Sequence, residues 1–428
     1  MSYFRCSEFP MQKKDRKNPF NLVVLVAALG YFVDIYDLQL FNVISRKSLI
    51  GIGITDPAVV DRYDYLLFLW QMTGMLVGGL LWGIMGDLKG RKSVLFGSIL
   101  LYSVANIANA FVVTLPQYVA VRFIAGLGLA GELGAAITLV SEIMHREHRG
   151  YGTMLIVAMG ALGAVAAALM NRIHFELFGL QAWQEAYIIG GLLGLCLLFL
   201  RMGTFESGMF EDIRKNAAIR KGNLFMLFSD RKRFLKYLAC ILIGLPVWYC
   251  VGILIKFSQS FAQITGVTGE PVEVGMAIMY TYIGLSVGDL FSGLLSQYLR
   301  SRKKVIITYL LGTVVLVSIF LFARGLSSTV YYLLCFLLGC GTGYWALFVT
   351  VASEQFGTNI RSTVTTTVPN FVRGAVVPIT LAFKSLESTS GTINAAVIVG
   401  VVCIGIAMLA TLYLTETFSN DLNYIEEK

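Results

Sequence analysis

Apolar runs of about twenty residues recur along the whole chain, separated by short polar stretches. At about 1.5 Å of helix per residue, a run of that length crosses a hydrocarbon core of about 30 Å. The pattern predicts twelve spans, at residues 20–44, 63–86, 93–112, 115–141, 151–171, 184–202, 234–260, 273–297, 304–323, 328–350, 363–383 and 393–415. The fold class is therefore an all-α polytopic membrane protein. A long basic segment from Gly203 to Arg233 divides six spans from six. It sets out an N-terminal bundle over residues 1–202, an inter-bundle loop over 203–233 and a C-terminal bundle over 234–428. One run is unusual: 115–140 carries Arg122 and Glu132 among Gly126, Gly128, Gly131 and Gly134. A dinucleotide-binding Gly-x-Gly-x-x-Gly needs a strand before it and a helix opening at it. Here the glycines sit inside one apolar segment, so that reading is set aside. Glycines on membrane helices let neighbours approach closely.

Composition agrees with the pattern: 56% of the 428 residues are hydrophobic and 14% charged, against about 25% charged in soluble domains. No separate soluble domain is visible. The net charge of +8 would suggest nucleic acid until the charges are placed. Loops and tails on the side of the termini hold 25 Lys/Arg and the opposite loops 6, with Arg122, Lys256 and Arg373 inside spans. By the positive-inside bias both termini are cytoplasmic. None of the seven cysteines forms a C-x-x-C pair, so neither a disulfide framework nor a metal site is indicated. The first run follows a basic lead, Lys13-Lys14-x-Arg16-Lys17, but contains Asp34 and Asp37 and is too long for a signal peptide. It is expected to be retained.

The halves repeat. Ser141-Glu142-(x6)-Arg149-Gly150 returns as Ser353-Glu354-(x6)-Arg361-Ser362, at an offset of 212. Gly74-x3-Gly78 and the basic turn ending at Ser93 return as Gly284-x3-Gly288 and the turn ending at Lys303, at an offset of 210. Two six-helix repeats imply a site between them near the midplane and alternating access by rocking.

The turn Gly86-Asp87-Leu88-Lys89-Gly90-Arg91-Lys92 resembles the loop between helices two and three of the major facilitator superfamily, and the resemblance covers essentially the whole chain. It lacks the Gly-x4-Gly-Lys-Ser/Thr spacing of a P-loop. Asp87 can lie against the positive N-terminus of the eleventh helix, near Ser362, while pairing with Arg91. Gly86, Asp87, Gly90, Arg91, Glu142, Arg149, Glu354 and Arg361 then form a cytoplasmic gate. Gln297 replaces the acid in the second copy, so the latch is expected on one side only. Asp34-Ile-Tyr36-Asp37, Arg122-x3-Gly126-x-Gly128-x2-Gly131-Glu132, Glu206-Ser207-x2-Phe210-Glu211 and Thr415-Glu416-Thr417…Asp421-Leu422 resemble the metabolite:proton and phosphate:proton symporter branch. That resemblance implies import of a small polar metabolite with protons, through a cavity lined by helices 1, 4, 7 and 10, with 2, 5, 8 and 11 contributing.

An ionisable residue at mid-membrane costs at least about 2.5 kcal/mol and marks ion or substrate paths. Glu132, Asp34 and Arg373 fall near the midplane, and Asp37 and Arg122 share a depth further out, suggesting a structural ion pair. His145 and His148 lie in a loop and His174 at a boundary, so the proton carrier is a carboxylate: Glu132 first, with no charged neighbour within a turn, then Asp34, then Asp289. The alternative for Glu132 is a permanent ion pair. Arg373 can hold a carboxylate or phosphate by two parallel hydrogen bonds. Lys256 either joins it or snorkels. Tyr36, Trp248, Tyr249, Tyr280, Tyr344, Trp345 and Asn370 are candidate cavity residues.

The expected function is proton-coupled import of an anionic or zwitterionic metabolite (organic acid, amino acid or phosphate). Proton-driven efflux and a non-transporting metabolite receptor are the alternatives. There is no HExxH helix and no His/Cys cluster, so an enzyme is not expected. The expected partners are a small molecule, lipid and protons, with no nucleic acid, metal or cofactor other than the proton gradient. A monomer in a bacterial inner membrane is the expected setting.

Overall fold

The computed structural model describes residues 22–144, 149–170, 179–201, 225–418 and 424–426. The basic amino-terminal lead, the three histidines, most of the 203–233 segment, Glu206 to Glu211, Asp421-Leu422 and the side chain of Arg149 lie outside them. Among the described residues the helical segments join into twelve successive spans, with the short helix Met226–Ser229 before the seventh, and ten of the spans are long and apolar enough to cross a membrane. The other two are the third, Arg91–Asn109, and the eleventh, Arg361–Ser390. The third starts on Arg91-Lys92 and ends near Asn106 and Asn109. The eleventh buries Thr363, Thr365, Thr366, Thr367, Asn370 and Arg373, so its polar side faces protein rather than lipid.

The first two spans are longer than the pattern predicts, Leu22–Gly51 and Pro57–Lys89. Asp56 caps the second by accepting from Ala58 N at 2.9 Å. Three predicted spans are broken. The fourth is Leu115–Leu129 followed by Glu132–Ile143, and the tenth is Ser328–Thr342 followed by Trp345–Glu354. The seventh runs through Arg231–Leu242, Leu245–Tyr249, a π-helical turn at Cys250–Ile255 and Ser258–Thr265. Pro246 supplies no N–H for a continuous ladder there. Broken helices at membrane depth are tolerated only where protein satisfies the freed backbone groups. The Asn370 amide does so by donating to Ala130 O at 2.8 Å, and Asp289 by accepting from Ala346 N at 3.0 Å.

The repeat reappears as geometry. Gly74 and Gly78 on the second span lie against the backbone of Phe123 and Leu127 on the fourth. Gly284 and Gly288 on the eighth lie likewise against Phe336 and Cys340 on the tenth. A side chain at any of the four would collide with main chain, so these pairs pack at glycine distance. The halves of the chain meet along the second and eleventh spans and along the fifth and eighth. Ser286 Oγ on the eighth donates to Ala158 O on the fifth at 2.8 Å, and Thr350 Oγ1 on the tenth donates to Thr153 Oγ1 on the fifth at 2.8 Å.

Candidate functional site

At the face carrying the 86–91 turn, the halves are locked together. Asp87 accepts from Ser362 N at 3.0 Å, Thr363 N at 2.8 Å and Thr363 Oγ1 at 2.7 Å. It therefore caps the eleventh span at the residue the sequence points to, where free N–H groups and the helix dipole favour an anion. Arg91 lies 3.6 Å from Asp87 and 2.8 Å from Glu142, and donates to Thr358 O at 3.2 Å. Glu142 also pairs across the halves with Arg361 at 3.2 Å. Gly90 turns with φ 99°, a conformation that costs a side chain dearly. A Cβ at Gly86 would strike the Ser362 side chain. Glu354 pairs with Arg302 at 3.3 Å within the second half, the counterpart of Arg91–Glu142.

Near the middle, a narrow cavity of about 40 Å³ lies between the halves, lined by Tyr31, Trp248, Tyr282, Asp289, Trp345 and Arg373 together with aliphatic side chains. Arg373 is buried and donates to Asn370 Oδ1 and Tyr31 OH, each at 3.2 Å. Its guanidinium lies 5.7 Å from the Trp345 ring centre, and Trp248 and Trp345 meet edge-on at 6.5 Å. The cavity thus offers a forked cation between aromatic walls.

The three candidate proton carriers have different surroundings. Glu132 is bound at both oxygens by Arg201, with Nη1 to Oε2 at 2.8 Å and Nη2 to Oε1 the second contact. This favours the alternative of a permanent ion pair for Glu132 over the role of first-choice proton carrier, and its partner Arg201 lies on another span, at the end of the sixth, where it reads as a loop charge. The room comes from Gly30 on the first span, where a Cβ would overlap both partners. Asp289 caps Trp345–Glu354 from the cavity wall. Asp34 is fully buried, and neither oxygen has a hydrogen-bond partner among the described residues. The charges acting on it are those of Arg373, Glu132, Asp37 and Arg201.

Several other expectations are corrected. Asp37 and Arg122 make no direct ion pair: the guanidinium lies 4.4 Å from the Phe41 ring centre and 5.8 Å from that of Tyr187. Neither Asp37 oxygen has a hydrogen-bond partner among the described residues. Lys256 does not line the cavity but reaches Asp64 across the halves at 3.4 Å. Tyr249 OH donates to Ala396 O at 2.7 Å and Tyr344 OH to Ile243 O at 3.0 Å, both away from the cavity. Tyr280 stacks on Tyr332 at 5.4 Å. Tyr36 is buried within the first half, beside Gly163 and Gly190. Asn370 is not in the wall; it orients Arg373 and closes the break at Ala130.

The tyrosines that do line the cavity are Tyr31 and Tyr282. Tyr31 stands three residues before Asp34 on one helix face, a spacing that could have found it. Tyr282 accepts from Gln39 Nε2 at 2.6 Å. With Lys256–Asp64, this contact joins the halves on the side of the cavity opposite the latch.

The sequence profile of the Major Facilitator Superfamily matches residues 27–379. The niacin transporter NiaP of Acinetobacter baylyi is 34% identical over 167 residues, 39% of this chain and 36% of that protein. The 3-(3-hydroxy-phenyl)propionate transporter of Escherichia coli is 27% identical over 364 residues, 83% of this chain and 86% of that protein. Among solved structures, the proton:xylose symporter XylE is similar with a TM-score of 0.72 at 15% identity, over 94% of this chain and 97% of that one. At that identity the likeness concerns the fold alone. The chain belongs to the Major Facilitator Superfamily and is an integral membrane transporter, not an enzyme.

Proposed function

We propose that the protein imports a small aromatic monocarboxylate together with protons by alternating access. The observation that carries this reading is Arg373, a buried guanidinium facing a cavity walled by Trp345, Trp248 and Tyr31. A carboxylate matches the guanidinium fork and an aromatic ring matches the walls. The relatives named for niacin and for 3-(3-hydroxy-phenyl)propionate support it, since both compounds carry one carboxyl group and an aromatic ring.

Asp34 is the proton carrier in this reading, because Glu132 is committed to Arg201. Ionised Asp34 balances Arg373. Once protonated, it leaves that positive charge to the substrate carboxylate. Either arrangement keeps the closed cavity near neutral, and an excess charge sealed there is costly. The Lys/Arg bias supports placing the latch and both termini in the cytoplasm, and an inward proton gradient then drives import.

The test is uptake by proteoliposomes under an imposed inward pH gradient. The panel is niacin, benzoate and 3-phenylpropionate against phosphate, sugars and amino acids. Aromatic carboxylates should accumulate with proton entry. Preference for phosphate or sugar, or uptake without protons, would overturn the proposal.

A further inference from the structure

The turn between the tenth and eleventh spans, Gln355 to Asn359, holds the tail that follows the twelfth. Thr358 N donates to Tyr424 O at 2.9 Å. The Asn359 side chain donates through Nδ2 to Glu426 O at 3.2 Å and accepts at Oδ1 from Glu426 N at 3.0 Å. It reads both main-chain groups of one residue, as a neighbouring strand would, and those partners fix which end of the amide is nitrogen. The Glu426 carboxylate is gripped in turn. Arg233 Nε reaches Oε2 at 3.2 Å, and Lys236 Nζ and Gly357 N reach Oε1 at 3.5 and 3.4 Å.

Gly357 makes that approach feasible, because a Cβ there would stand 2.6 Å from Glu426 N and 3.1 Å from Glu426 Cγ. Lys236, on the first helix of the seventh span, also braces the turn by donating to Gln355 O at 2.6 Å, with Nζ 4.3 Å from the Phe356 ring centre. Ile425, between the two held residues, is 41% exposed. The turn therefore recognises main chain and one carboxylate.

The same turn carries the latch. Thr358 gives its N–H to the tail and its carbonyl to Arg91 of the first half, at 3.2 Å. Just beyond Asn359, Arg361 opens the eleventh span and pairs with Glu142, and Ser362 N meets Asp87. Thr358, Asn359 and Arg361 are all buried.

We infer that the 355–359 turn is a binding site for an acidic peptide tail, that Tyr424-Ile425-Glu426 of this chain is its occupant, and that the docked tail holds the latch shut. Opening the latch takes Arg91 from Thr358 O and Glu142 from Arg361. Undocking the tail takes Tyr424 O from Thr358 N and Glu426 from Asn359. Each event leaves the turn with fewer partners, so each makes the other easier. The coupling is reciprocal: the tail favours the closed latch by the same factor by which the closed latch tightens the tail. The clamp acts on the latch itself, whatever the substrate.

The test uses the full chain in proteoliposomes with Ser141→Cys as reporter, since Ser141 is buried where the halves meet. Maleimide labelling is read at residue 141 by mass spectrometry. Deletion of residues 424–428, Glu426→Ala and Gly357→Ala should each speed labelling about fivefold, and Ile425→Ala should stay at the wild-type rate. Combining the deletion with Gly357→Ala should give no further increase, because both remove one interaction. A synthetic peptide of residues 423–428 should slow the deletion protein toward the wild-type rate, and should not slow it when Gly357→Ala is also present. A wild-type rate in the deletion protein, or Ile425→Ala as fast as Glu426→Ala, would overturn the clamp. A deletion that speeds labelling only by loosening the fold is not rescued by the peptide, so fast labelling without rescue overturns it as well.

Discussion

Arg201 grips Glu132 with both of its terminal nitrogens, one at 2.8 Å, and both side chains are buried. Each charge is tolerated only because the other is there. Deleting one partner of such a pair costs about 3–5 kcal/mol, whereas replacing both with apolar residues of similar volume is often neutral. Glu132→Gln or Arg201→Met alone should therefore destabilise the protein by about that amount, and Glu132→Leu with Arg201→Met should regain most of it. Thermal unfolding in detergent checks this. A double variant no better than the singles would show that the residues act independently.

Arg373→Lys keeps the positive charge at the cavity but loses the fork held by Asn370 and Tyr31. Hydrogen bonds to charged groups contribute about 1.5–3 kcal/mol, so KM for an aromatic carboxylate should rise about ten- to a hundredfold. Protein yield and melting should change little. Initial-rate uptake kinetics separate the two effects: an unchanged KM with a lowered melting temperature would make Arg373 a structural residue only.

The two-repeat pattern and the latch were legible in the sequence because each rests on a short, local signature. Asp87 does meet the eleventh span at Ser362, and the Gly-x3-Gly pairs do mark close helix contacts. Trp248, Trp345, Asp289 and Arg373 were likewise expected at the cavity and are found there. The choice among tyrosines failed for a physical reason. A span packed on several sides has no apolar stripe to fix its rotation, so Tyr280 could not be told from Tyr282, nor Tyr36 from Tyr31. Arg201 was hidden differently. It ends an apolar run and reads as a loop charge, and only the missing side chain at Gly30 lets its guanidinium reach Glu132. The break in the fourth span at Ala130 was also illegible, since the group that satisfies it, Asn370, lies 240 residues away.

Asp87→Asn keeps the shape of the latch but removes the charge that faces the first N–H groups of the eleventh span. An anion at a helix N-terminus in a partly buried setting is worth about 1–2 kcal/mol, so the open state of this face should gain about five- to thirtyfold in population. Ser141 is fully buried where the halves meet, 3.4 Å from Ser353 Oγ. A cysteine there should react with a maleimide faster by that factor in the Asp87→Asn background. An unchanged labelling rate would mean that Arg91, Glu142 and Arg361 hold the face without Asp87.

Glu416 offers a test of stability against pH outside the membrane-spanning helices. It accepts from the Ser301 hydroxyl and from Arg302 N at 2.9 Å, so the polar end of the ninth span is tied to the chain that follows the twelfth. Burial pushes its carboxyl upward, but hydrogen bonds from Ser301 and from the N–H groups of Arg302, Phe418 and Lys303 outweigh that and hold it below its ordinary value. A depressed carboxylate stabilises the folded state at pH values above its unfolded pKa, about 4.3 for glutamate. That stability fades as pH falls through the unfolded pKa and on toward the lower folded one. Wild-type protein should therefore melt higher than Glu416→Gln at pH 7, with the gap closing between about pH 5 and pH 3. A gap that stays constant over that range would mean the carboxylate charge contributes nothing and only the shape of the side chain matters.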